Sequence, residues 1–186
     1  EPKAAIVVMV DAIRNRPKEP MPERTCKVLR PVAPKAVESR PFVESRPFNA
    51  DDTFLNKRSG VKMVEHGSNF RSCFTGKVEE NAPEGELVPF TLVLSAFDNE
   101  IIDDLGGEEK AETTLTEIWR LMKRQVNGEE GVLLTNGCAN IFYVRDVNGV
   151  LRAVYVCWRG VGWGAFVDTM GGFGRGGDYR VFSRNS

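Results

Sequence analysis

The sequence predicts an α+β fold: an antiparallel sheet or β-meander with one or two packed helices, preceded by an extended proline-rich N-terminal arm. Three observations carry this expectation. Seven of the ten prolines fall between positions 17 and 47, a density that removes backbone donors and biases each preceding residue toward extended geometry. Residues 114–126 show a helical apolar period, and the segment from 131 onward consists of short apolar runs separated by Asn-Gly and glycine-rich turns, the pattern of hairpins. The expected division is 1–50 as N-terminal segment and arm and 51–186 as a compact α+β domain, with 131–186 as its β-meander.

Composition supports a packed core. Of the 186 residues, 41% are hydrophobic and 27% charged, which excludes global disorder. The apolar run from Ala4 to Val10 is far below the roughly 20 residues that a membrane-spanning helix needs. A net charge of -1 argues against whole-chain binding to polyanions, yet the charge is partitioned. Residues 1–60 hold 12 basic and 8 acidic groups, 61–130 hold 7 and 15, and 131–186 hold 6 and 3. Arm and middle therefore have opposite signs, so the arm is expected to dock on the acidic segment of its own or a neighbouring chain.

Taken in order, 4–14 reads as a brief helix or strand ended by Pro17. Within the arm, Val37-Glu38-Ser39-Arg40-Pro41-Phe42 is repeated unchanged as Val43-Glu44-Ser45-Arg46-Pro47-Phe48. Such a duplication is either a linker or a twin docking motif, in which Phe42 and Phe48 are apolar anchors beside Arg40 and Arg46. Segments 70–78 and 87–97, rich in aromatic and aliphatic residues between turn formers, read as strands. Asp98 then caps a short helix stopped by Gly106-Gly107. The clearest helix is 114–126: Thr114 and Glu117 make a capping box, Leu115, Ile118, Trp119, Met122 and Val126 recur on one face, and Lys123 and Arg124 suit the C-terminal dipole.

In the meander, 141–146 and 150–158 flank a turn with two possible registers. A two-residue Asn-Gly turn would set Arg145 opposite Arg152, which is unfavourable. A three-residue loop, with Asp146 opening a type I turn and Gly149 in the left-handed position, pairs Arg145 with Leu151 and is the expected register. It puts Phe142, Val144, Val154, Val156 and Trp158 on the core side with Arg152. Ile141, Tyr143, Arg145, Ala153, Tyr155, Cys157 and Arg159 share the other face, which must lie under a helix or against a ligand. Residues 161–167 supply a third strand and 179–182 a fourth.

Catalytic groups are scarce. Cys26, Cys73, Cys138 and Cys157 show no CxxC or zinc-ribbon spacing, so reduced buried thiols are expected, with a disulfide in an oxidising compartment as the alternative, and neither metal nor cofactor is expected. The single histidine, His66, reads as structural, although a pairing with Cys73 is conceivable. Gly172 to Gly177 matches GxGxxG, but only nine residues follow it, too few for the helix and acidic residue of a dinucleotide site. Asp103-Asp104 and Glu108-Glu109 read as a solvated acidic face. Arg159-Gly160-Val161-Gly162-Trp163-Gly164-Ala165-Phe166 resembles in part the RNP1 octapeptide of RNA-recognition motifs. Val161 and Gly164 depart from it, and the expected strand order does not fit that fold, so the family is rejected.

What survives is an interleaving of aromatic and arginine residues in the last third, a surface able to stack bases or sugars. The expected ligand-binding residues are Tyr143, Arg145, Tyr155, Arg159, Trp163 and Arg175. Three functions follow from these features. The leading one is a non-enzymatic interaction or assembly protein whose arm docks on a protein partner or a second copy. The next is a binder of single-stranded nucleic acid, sugar or another anionic ligand through the arginine–aromatic face. A cysteine-dependent enzyme using Cys73 or Cys138 is the third. Compartment is left open between the cytoplasm and secretion after signal removal.

Overall fold

In the computed structural model, the described residues are 27–32, 47–55, 60–80, 87–168, 170–171 and 174–184. They form ten strands and five short helices. The strands are β1 (Leu29–Pro31), β2 (Phe48–Asn49), β3 (Met63–His66), β4 (Val78–Glu79), β5 (Leu87–Leu92), β6 (Glu112–Thr113), β7 (Asn140–Arg145), β8 (Leu151–Trp158), β9 (Trp163–Asp168) and β10 (Arg180–Arg184). The helices are α1 (Ala50–Thr53), α2 (Ser68–Phe74), α3 (Asp98–Leu105), α4 (Glu108–Ala111) and α5 (Leu115–Lys123).

The architecture corrects the expectation of a simple antiparallel meander with one or two helices. A mixed eight-stranded sheet runs β1-β5-β10-β7-β8-β9-β3, with β6 also paired to β7, and β2 and β4 form a small antiparallel sheet. Strands β7, β8 and β9 are the expected meander. The fourth strand does not extend it: β10 lies between β5 and β7, antiparallel to the first and parallel to the second. Strand β3 adds in parallel to β9. Helices cover both faces, because one core joins α1, α2 and α5 to the sheet side bearing Phe142, Val154 and Phe182, while a second joins α3 and α4 to the side bearing Ile141, Tyr143 and Val181.

Local chemistry explains the elements. The hairpin adopts the three-residue register, with Arg145 opposite Leu151. The Gly149 amide donates to the Asp146 carbonyl at 3.0 Å, Gly149 has φ 77°, and Asp146 Oδ1 accepts the amides of Asn148 and Val150. Helix α5 has the Thr114–Glu117 capping box, and the Glu79 carboxylate also accepts the amides of Leu115 and Thr116 at 3.0 and 2.9 Å. In α3 the N-cap is Phe97 rather than Asp98, whose side chain turns inward, and Gly106 ends the helix at φ 97°. Residues 70–74, expected as the start of a strand over 70–78, instead lie in helix α2: Phe70 and Phe74 stand four apart, which puts both rings on one buried helical face.

Residues 27–32 fall on the arm side of the expected division, and there β1 pairs with β5. The amides of Val28 and Leu29 donate to Asp104 at 2.6 and 3.1 Å. Asp104 is thus a partner of the backbone and not merely part of a solvated acidic face. Phe48, expected as a docking anchor, is 3% exposed inside this chain's core, its ring 6.2 Å from Phe54. Arg40, Phe42 and Arg46 lie outside the described residues.

Candidate ligand-binding face

The sheet side that carries Tyr143 and Tyr155 is covered only in part. Register aligns Tyr143, Ala153 and Asp168 in one row across β7, β8 and β9, then Ile141, Tyr155 and Phe166 in the next, then Cys157 and Gly164 beside Glu65 of β3. Helices α3 and α4 pack where Ile141, Tyr143, Leu151 and Val181 are buried. Toward β9 the surface opens: Tyr155 and Phe166 are half-buried and Arg159 is exposed. The Tyr155 and Phe166 rings stack with centroids 5.1 Å apart and planes 16° apart. Phe166 can lie close to the backbone because its neighbours are glycines; a Cβ on Gly164 would sit 2.7 Å from its ring and one on Gly67 3.2 Å.

One wall of this surface is a buried ionic network. Arg175 grips the fully buried Asp98 with Nε at 3.0 Å and Nη2 at 2.9 Å, and its Nη1 reaches Asp168 at 2.6 Å. Tyr143 donates its hydroxyl to Asp98 at 3.0 Å, and the Gly171 amide donates at 3.3 Å. Desolvation would lower the Arg175 pKa, but its hydrogen bonds to Asp98 and Asp168 overcome that and raise it. Burial, reinforced by the Asp98 charge, raises the Tyr143 hydroxyl well above the ordinary tyrosine range. On the opposite wall Arg159 pairs with Glu65 at 3.5 Å.

These contacts sort the expected ligand residues. Tyr155 and Arg159 remain on the open surface. Tyr143 is 0% exposed and Arg175 7%, both committed to Asp98, so neither has a free group to offer an anion. Arg145 is held by Glu112 at 2.9 Å and Glu108 at 3.3 Å beneath α4. Trp163 points to the opposite core, fully buried, with Nε1 donating to the Gln125 carbonyl. Strand parity already separates Trp163 from Tyr155 once the β8–β9 register is known. Sequence reasoning missed Phe166, which the same parity places beside Tyr155. It also missed Asp98 and Asp168, whose partner is remote or lies across a glycine-rich loop.

The thiols and the histidine form no catalytic pair among the described residues. His66 is hydrogen-bonded to the Phe54 backbone, and burial lowers its pKa. Its Nε2 is buried without a partner, and its ring lies 6.3 Å from Phe70. Cys73 packs against the core, and no hydrogen bond joins it to His66. Burial raises the Cys157 thiol pKa despite the nearby Arg159, the opposite of nucleophile activation. Among the described residues no helix is long and apolar enough to cross a membrane. No protein-family model, curated protein or solved structure matches this chain.

Proposed function

We propose that this is a binding protein whose ligand seats on the open half of the sheet, on Tyr155 and Phe166. The observation that carries the reading is that stacked, partly exposed aromatic pair at the margin of the core under α3 and α4. The cations on this face favour a sugar or another flat, uncharged ring over a polyanion. Arg159 is paired with Glu65, and Arg175 with Asp98 and Asp168, so little unneutralised positive charge faces a phosphate backbone. Carbon faces of a sugar ring stack on aromatics through dispersion and apolar burial, which salt barely changes. Titration of labelled protein with neutral oligosaccharides and with oligothymidylate, followed by NMR, tests this. The expected result is sugar-induced shifts at Tyr155 and Phe166 that persist in high salt and vanish in Tyr155→Ala. Unchanged spectra with the sugars, or binding indifferent to Tyr155→Ala, would sink it.

A second reading, assembly through the N-terminal arm, is favoured by the way 27–32 docks. An extended segment adds β1 to the exposed edge of β5, and Asp104 fixes its first amides. Strand addition of this kind is available to a neighbouring copy's arm as well as to the chain's own. Removing residues 1–50 would also remove β1 and the buried Phe48, so the informative variants are deletion of 1–26 and Phe42→Ala combined with Arg40→Ala and Arg46→Ala. Light-scattering mass should drop if the arm mediates assembly. An unchanged mass in both variants rejects that role.

A further inference from the structure

Of the six arginines between 131 and 184, five have a carboxylate within 3.5 Å: Arg145, Arg152, Arg159, Arg175 and Arg184. Arg180 has none among the described residues. Its single side-chain hydrogen bond there runs from Nη1 to the Val132 carbonyl, and its Nε is buried without any partner. Desolvation, with no anion to offset it, lowers its pKa. A guanidinium held this way carries an unmet demand for an acceptor.

The register shows what stands beside it. Arg180 of β10 is opposite Thr91 of β5, and Thr91 is opposite Arg30 of β1. Their alternation with Val181, Phe90 and Leu29 puts all three on the side facing away from α3 and α4. Strands lie about 4.8 Å apart, so two arginines flank a threonine hydroxyl with about 10 Å between their backbones. Arg30 is exposed and likewise has no carboxylate partner among the described residues. An anion seated over Thr91 would have one of these cations on either side of it.

We propose that Arg30, Thr91 and Arg180 form a site for a tetrahedral oxyanion, a phosphate group above all. The Arg30 fork and the remaining Nη2 group of Arg180 supply N–H donors and two positive charges, matching the dianion, while the Thr91 hydroxyl between them adds a further donor. The ring-binding surface at Tyr155 lies on the opposite side of the sheet, so the two assignments stand or fall separately.

Calorimetry with inorganic phosphate, and with glycerol phosphate as a small monoester, tests the site against sodium chloride of equal ionic strength. Phosphate should bind, and NMR should show the Thr91 amide and the Arg180 side chain shifting with it. Arg30→Gln changes an exposed side chain and should weaken binding at least tenfold. Thr91→Val keeps the side-chain shape and should weaken it severalfold. Tighter binding of glycerol phosphate marks a phosphorylated small molecule as the ligand, and tighter binding of phosphate marks the free ion. Heat no greater than the chloride control, or full affinity retained in both variants, overturns the proposal.

Discussion

Asp98 accepts four hydrogen bonds in a site closed to water: two from Arg175, one from Tyr143 and one from the Gly171 amide. Removing Arg175 leaves a buried carboxylate unpaired, so Arg175→Ala should lose about 3–5 kcal/mol in urea unfolding. Tyr143→Phe removes one donor and should lose about 1–3 kcal/mol. Because both act on one carboxylate, the double variant should lose less than the sum. His66 gives a pH prediction. Its folded pKa is lowered from 6.5, so the unfolded chain binds the proton more readily, and stability is full above about pH 6.5 and falls as pH drops through it. Urea midpoints across pH 5 to 8 should show a shallower acid-side loss in His66→Gln than in the unaltered protein.

At the scale of elements, the doubly capped start of α5 makes a graded prediction. Thr114→Ala removes one cap while Glu79 keeps holding the amides of Leu115 and Thr116, so the loss should be about 1 kcal/mol or less. Thr114→Ala with Glu79→Ala should lose distinctly more, read from the same urea midpoints. Elements set by local chemistry were legible in the sequence: α5 through its capping box and apolar face, and the β7–β8 register through Asp146, Gly149 and the charge of Arg145 and Arg152. Helix α2 was not, because in a seven-residue segment two phenylalanines four apart suit a strand composition as well as a helix face. Strands of two or three residues, such as β1, β2, β4 and β6, take their identity from partners across space and have almost no period of their own.

For the whole molecule, the unread part was long-range order. Nothing in residues 179–182 says whether they extend a meander or enter between β5 and β7; that choice depends on which edges the rest of the chain leaves open. The candidate face shared this limit. Tyr155 and Arg159 were placed by parity, whereas Arg175 was drawn inward by Asp98, 77 positions away in sequence. Segment 27–32 meets the middle of the chain through strand pairing and two backbone amides on Asp104, contacts that salt screens little, so its docking should survive high salt. Asp104→Ala should speed hydrogen exchange at Val28 and Leu29 while leaving β7 and β8 protected. Equal exchange in both proteins would show that Asp104 does not hold the strand.

The position of β10 also governs how the molecule can come into being. As the last strand of the described residues in chain order, it is nevertheless third from one end of the main sheet. Until it arrives, β5 and the Asn140–Ile141 end of β7, which β6 leaves uncovered, present unsatisfied amides and carbonyls, and β1 with β5 is separated from the β7-β8-β9 hairpins. A chain cut short before Arg180 therefore loses the seam of the sheet and keeps two adhesive borders. Its fate should be aggregation instead of a slightly frayed native state, and the intact chain should fold slowly for its size.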